Sequence, residues 1–307
     1  MPGKPIHLIS PPRLRPGDTI GVAAPASPFE MEIFQQGIAT LERMGFQALI
    51  ADDVYRRSGY LAGSDTQRAE HLIRLFKDPQ VNGIICARGG FGSMKILSLL
   101  DYDTIGRHPK IFVGFSDISA MLTTLVKKCQ MVAFHGPTIT TLGHADPATL
   151  YALKEALSSD KPIEIQAEQG LVIRSGRAHG RVAGGNLTTL CHLVGTPFAP
   201  CFKDRILLLE DKGEAPYRID RMLTQMKMAG CFDGIAGLAL GSFEGCGSLD
   251  EIYNLVELLF RKDKIPILGG LPIGHGMRNL TLPMGPAATL DTDRQRLVFH
   301  EPATAAG

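Results

Sequence analysis

The sequence reads as an α/β protein with a parallel sheet in its N-terminal half and a second domain beyond about residue 180. Three observations carry that reading. Short apolar runs alternate with helical stripes over residues 19–134, the pattern of βαβ units. Glycine-bearing turns close two of those runs, as they do at the carboxyl edge of parallel strands. At about residue 160 the pattern gives way to a polar stretch, after which strand and helix signals resume.

The first strand is Thr19 to Ala24, and the stripe Phe34, Ile38, Leu41, Gly45 then marks a helix. Phe46 to Ile50 is the next strand. Ser64-Asp65-Thr66-Gln67 forms a capping box opening a helix with Leu72, Ile73, Leu75 and Phe76. Asn82 to Ala87, Ile111 to Gly114 and Met131 to Phe134 are the third to fifth strands, and Pro147 to Leu157 is helical. Residues 160–183 are polar, with short β runs and Gly176 and Gly180, and are expected as a linker or crossover. Beyond them come a strand at Ile206 to Leu209 and a helix from Pro216 to Ala229. That helix has Pro at its first position and Gly230 as its stop. Further strands are expected at Ile235 to Leu240, Ile265 to Leu268, Ala288 to Leu290 and Leu297 to His300. The expected domains are 1–160 and 181–307, joined by 161–180.

Bulk properties exclude several function classes. With a net charge of +1, electrostatics give no support for nucleic-acid or membrane-surface binding. The segment 1–18 is Pro-rich and basic but lacks an apolar core, so no secretory signal is read there, and no run is long enough to span a bilayer. The cysteines Cys86, Cys129, Cys191, Cys201, Cys231 and Cys246 form no C-x-x-C pair. They read as reduced, buried residues of a cytoplasmic protein. No Cys/His cluster or H-E-x-x-H suggests a metal, and no cofactor motif is present.

The chemistry centres on Gly114-Phe115-Ser116-Asp117. An apolar strand precedes Ser116, and the stripe Ile118, Met121, Leu122, Leu125 follows it. That context places the hydroxyl on a sharp strand-to-helix turn, where a serine nucleophile is exposed and backbone N–H groups can receive an oxyanion. Ser-Asp before such a stripe also serves as a helix N-cap. A serine nucleophile needs a base, and His275, flanked by Gly274 and Gly276, is the first candidate, with His135 the second. His192, in an apolar helical segment, is expected in the core. Glu210, ending the Ile206 to Leu209 run, is the expected orienter of the base, with Asp211 and Glu214 as alternatives on sequence alone. The turn Arg88-Gly89-Gly90-Phe91-Gly92 offers N–H groups for an oxyanion or a phosphate. Arg88 and Gly90 of that turn are candidates for substrate contact. A substrate carboxylate would need a cation, for which Arg88, Arg218, Arg221 and Arg278 are available; Arg218 and Arg221 are expected to pair with Asp220 or other acids.

Taken together, these blocks resemble the LD-carboxypeptidase family of serine peptidases, which includes the microcin-immunity peptidases. The resemblance spans Arg15 to Ser27, Ala87 to Gly92, Val113 to Asp117, Gly184 to Leu187, Leu209 to Arg221 and Pro272 to Gly276. It implies Ser116 as nucleophile, His275 as base, Glu210 as orienter, and the Gly89 and Asp117 N–H groups as oxyanion hole. It implies an N-terminal domain similar to class I glutamine amidotransferases and a smaller C-terminal α/β domain with a barrel-like sheet. The implied activity is release of the terminal D-alanine from murein tetrapeptides in cytoplasmic cell-wall recycling, by a homodimer. A same-fold peptidase acting on peptidyl or aminoacyl nucleotides is the alternative. Against it stands the absence of Trp for base stacking.

Overall fold

The computed structural model describes residues 8–168 and 170–306. The first seven residues of the Pro-rich basic segment therefore lie outside the described residues. The chain divides into two compact units: 1–161 with 281–285 and 302–307, and 162–280 with 286–301.

The first unit is built on a six-stranded sheet. Its order is Leu282–Met284, Ala133–His135, Ile111–Gly114, Gly83–Cys86, Thr19–Ala23, Gln47–Leu49. The last five strands are mutually parallel, and Leu282–Met284 adds an antiparallel edge. Gly83–Cys86 and Ile111–Gly114 are buried at every position, so both faces of the sheet are covered, as parallel sheets require. The expected capping box forms: Ser64 Oγ accepts from the Gln67 N–H and Gln67 Oε1 accepts from the Ser64 N–H. It opens the Asp65–Lys77 helix, which buries Leu72, Leu75 and Phe76.

The second unit carries an eight-stranded mixed sheet. Its order is Glu164–Gln166, Arg296–Phe299, Ala287–Asp291, Arg177–Asn186, Arg205–Lys212, Gly237–Glu244, Ile267–Gly269, Leu171–Arg174. Four consecutive strands, from Arg177–Asn186 to Ile267–Gly269, are parallel. The polar stretch expected as a crossover thus contributes three strands. The Pro216–Met228 helix forms as expected. A helix at Leu249–Phe260, absent from the expectation, is capped by Ser248 and buries Ile252, Tyr253, Val256 and Phe260. Both helices close one apolar core with Leu207, Leu209, Leu238 and Leu240. Among the described residues no helix is long and apolar enough to cross a membrane.

Candidate active site

Ser116 lies where the first sheet's buried strand Ile111–Gly114 turns into the Ser119–Cys129 helix. Phe115 remains extended, and Ser116 then adopts φ +63°, one of few non-glycine residues with positive φ. Such a conformation costs about 1–3 kcal/mol and persists where the surroundings impose it. The cap alternative does not hold. The short 3-10 turn Ser116–Ile118 is preceded by Phe115 and the helix by Ile118, and neither start carries a side-chain cap bond. Ser116 is half-buried at the head of the turn.

Gly89 is brought against this residue. A Cβ there would stand 2.9 Å from Ser116 Cβ and 3.2 Å from Ser116 Oγ, so the backbone at 89 approaches as only glycine allows. Gly90 has φ +98°, and its Cβ would meet Ser27 Oγ at 2.4 Å. Ser27 Oγ in turn accepts from the Phe91 N–H at 3.0 Å. Asp117 ties the two turns together: Ser93 N–H donates to Asp117 Oδ2 at 2.8 Å, and Ser93 Oγ donates to the Asp117 carbonyl at 2.6 Å. Burial raises the Asp117 carboxyl above its ordinary value, against the opposing pull of the Ser93 donors. Arg68, buried, holds the far side through the Pro25 and Gly92 carbonyls. Arg88 is exposed, and its guanidinium donates to the Pro28 carbonyl at 2.7 Å.

In the second unit, Glu210 and His275 meet. Glu210 sits near the carboxyl end of Arg205–Lys212 with no exposed surface, and its Oε2 lies 2.6 Å from His275 Nδ1. Asp211 does not compete for the histidine. It faces the other side, accepting from Asn186 Nδ2, the Thr188 N–H and Oγ1, and the Lys212 N–H. Its carboxyl is raised by burial. Glu214 pairs with Arg218 at 3.4 Å. Two glycines make room for the Glu–His contact. A Cβ at Gly274, which has φ +105°, would stand 2.4 Å from Glu210 Oε2, and one at Gly241 would meet the Ile273 carbonyl at 2.5 Å. The loop carrying His275 is bound on both sides: Gly274 N–H donates to Asn279 Oδ1 and Gly276 N–H to Ser242 Oγ, each at 2.9 Å.

The other candidates sort as follows. His135 is fully buried, its ring edge-on to Phe115 at 6.0 Å. His192 is exposed rather than in the core, because the Leu187–His192 helix buries Leu187, Leu190 and Cys191 and turns the next position outward. Cys201 is likewise exposed, while the other five cysteines are buried. Arg218 pairs with Glu214 rather than Asp220, Arg221 lies over the Tyr217 ring at 5.3 Å, and Arg278 pairs with Glu168. Ser27, Ser93, Ser242 and Asn279 had no local sequence signal. Among the described residues no group of three or more His, Cys, Asp or Glu could hold a metal ion.

The chain has close counterparts among known proteins. The family model for the LD-carboxypeptidase N-terminal domain matches residues 20–136, and that for the C-terminal domain matches 179–290. A probable murein peptide carboxypeptidase of Bacillus subtilis is 34% identical over 94% of this chain and 94% of its own length. The murein tetrapeptide carboxypeptidase of Pseudomonas aeruginosa is 31% identical, covering 90% of this chain and 94% of its own. Among solved structures, the muramoyltetrapeptide carboxypeptidase of Oxalobacter formigenes superimposes with a TM-score of 0.81 at 29% identity, covering 92% of this chain and 99% of that one. The microcin C7 self-immunity protein MccF in complex with glutamyl sulfamoyl guanosine gives 0.89 at 25% identity, covering 96% and 99%.

Proposed function

The chain belongs to the LD-carboxypeptidase family of serine peptidases, and we propose that it releases the terminal D-alanine of murein tetrapeptides by hydrolysing an L,D-peptide bond. The observation that carries the serine-peptidase chemistry is the strained turn at Ser116, φ +63°, with the Gly89 backbone pressed against it; the murein substrate is taken from the names of the chain's relatives.

In the proposed mechanism Ser116 Oγ attacks the scissile carbonyl while its proton passes to His275 Nε2. Glu210, bonded to Nδ1, holds the tautomer that leaves Nε2 as the base and stabilises the imidazolium that forms. The Gly89 and Asp117 N–H groups receive the oxyanion. The tetrahedral intermediate collapses as the imidazolium returns the proton to the departing D-alanine amine. Water, deprotonated by the same imidazole, then cleaves the acyl-enzyme. Arg88 and Gly90 border the substrate in this scheme. The reading includes a cytoplasmic setting and a homodimer.

The test is D-alanine release from an L,D-tetrapeptide by wild type and Ser116→Ala. Release by wild type alone supports the reading, and equal release by both ends it. The likeness to MccF motivates one further reading, cleavage of an aminoacyl or peptidyl nucleotide. A side-by-side assay on an aminoacyl sulfamoyl nucleoside separates the two.

A further inference from the structure

We propose that Ser242 and Asn279 are positioning residues for His275, clamping the two backbone amides that flank it and so fixing the imidazole against Glu210. This deepens the reading above, since it takes His275 as the general base.

His275 lies between two glycines, the residues with the widest backbone freedom. A general base needs the reverse: a ring held within hydrogen-bond reach of the proton it takes. Glu210 bonds the ring but not the backbone that carries it. It offers one hydrogen bond, Oε2 to Nδ1, and its buried Oε1 has no hydrogen-bond partner among the described residues.

The restraint comes from the loop. Gly274 N–H donates to Asn279 Oδ1 and Gly276 N–H to Ser242 Oγ, so both amides beside His275 end on side-chain oxygens. Asn279 is buried, which gives its bond the strength of a dry site. Ser242 lies in an irregular stretch of the Gly237–Glu244 strand, where pairing with the neighbouring strand shifts between Leu240 and Phe243. A bulge of this kind re-aims a side chain that regular alternation would send elsewhere. Here it directs the hydroxyl at the loop, while the Ser242 N–H donates to the Ile273 carbonyl at 2.8 Å. Leu280 N–H closes the loop on the Pro272 carbonyl at 2.9 Å. Glycine at 276 fits the same purpose: a Cβ there would stand 3.1 Å from Ser242 Cβ and push the acceptor away.

The experiment compares Ser242→Ala, Asn279→Ala and Asn279→Asp, which keeps the Oδ1 acceptor, each checked for wild-type circular dichroism. Two readouts are taken. The first is the downfield proton NMR signal of the His275 Nδ1–H bonded to Glu210, recorded without substrate. The second is D-alanine release. The alanine variants are expected to broaden or lose the signal and to lower kcat by about 10- to 100-fold at unchanged KM, with Asn279→Asp recovering both. If Asn279→Ala does not fold, Ser242→Ala and Asn279→Asp carry the comparison. Folded Ser242→Ala and Asn279→Ala with wild-type signal and kcat would overturn the proposal. Loss of the signal in variants of a protein that releases no D-alanine would support the clamp and overturn the activity instead.

Discussion

Glu210 and His275 are joined by one hydrogen bond of 2.6 Å, made by a carboxylate with no exposed surface. Through the imidazole this buried acid can act on chemistry at the protein surface. Its value to the proposed base is orientation and charge. Glu210→Gln preserves volume but offers an amide that can force the wrong tautomer. It is expected to lower kcat by about 10³- to 10⁴-fold, with KM little changed. Steady-state release of D-alanine checks this. A loss confined to KM would move Glu210 out of the catalytic chain.

Gly89 is expected to tolerate no side chain. Alanine there meets Ser116 Cβ at 2.9 Å, and accommodating it displaces both the proposed nucleophile and the N–H proposed for the oxyanion. Gly89→Ala should lower kcat by about 10²- to 10³-fold, the effect of losing one oxyanion donor. Single-turnover kinetics on the same tetrapeptide measure the acylation step directly.

Gly274→Ala strikes the Glu210–His275 pair. Its φ of +105° disfavours any side chain, and its Cβ would collide with Glu210 Oε2 at 2.4 Å. The variant should lose more than about 1 kcal/mol of stability and most of its activity. Urea denaturation reads the first loss and D-alanine release the second.

Asp117 carries a pH signature. Burial raises its carboxyl above the ordinary 3.8, so the folded state holds the proton more tightly than the unfolded one. Its contribution to stability is therefore fullest below pH 3.8 and declines as pH rises through the folded value. Asp117→Asn does not titrate and keeps an acceptor for the Ser93 N–H. The stability of Asp117→Asn relative to wild type should rise from acid to neutral pH in parallel urea titrations. A constant difference, or one that shrinks, would contradict the sign.

Much of this was legible in the residues, for physical reasons. The inner strands Gly83–Cys86 and Ile111–Gly114 are short, apolar and bounded by turn residues, so period and punctuation agree, whereas the antiparallel edge strand Leu282–Met284 was not expected. Ser116 was visible because a strand, a sharp turn and a helical stripe follow one another between Ile111 and Leu125. The choice between Glu210 and Asp211 was not visible. Neighbours on a strand face opposite sides, and only the pairing of the strand says which side holds His275. Strands at 164–186 are partly polar and are recruited by pairing rather than propensity. The Leu249–Phe260 helix had a readable signal in Ser248, Glu251 and the stripe Ile252, Val256, Phe260. Ser242 and Asn279 had none, since a strand irregularity and a loop closure bring them to the amides beside His275.

The most direct measurement is covalent capture of the proposed nucleophile. Wild type treated with a fluorophosphonate and mapped by peptide mass spectrometry should carry one adduct, on Ser116, with D-alanine release lost in proportion to labelling. His275→Ala should label far more slowly. Full labelling of Ser116 in a protein that still releases D-alanine at the original rate would show that the bond is broken by other means.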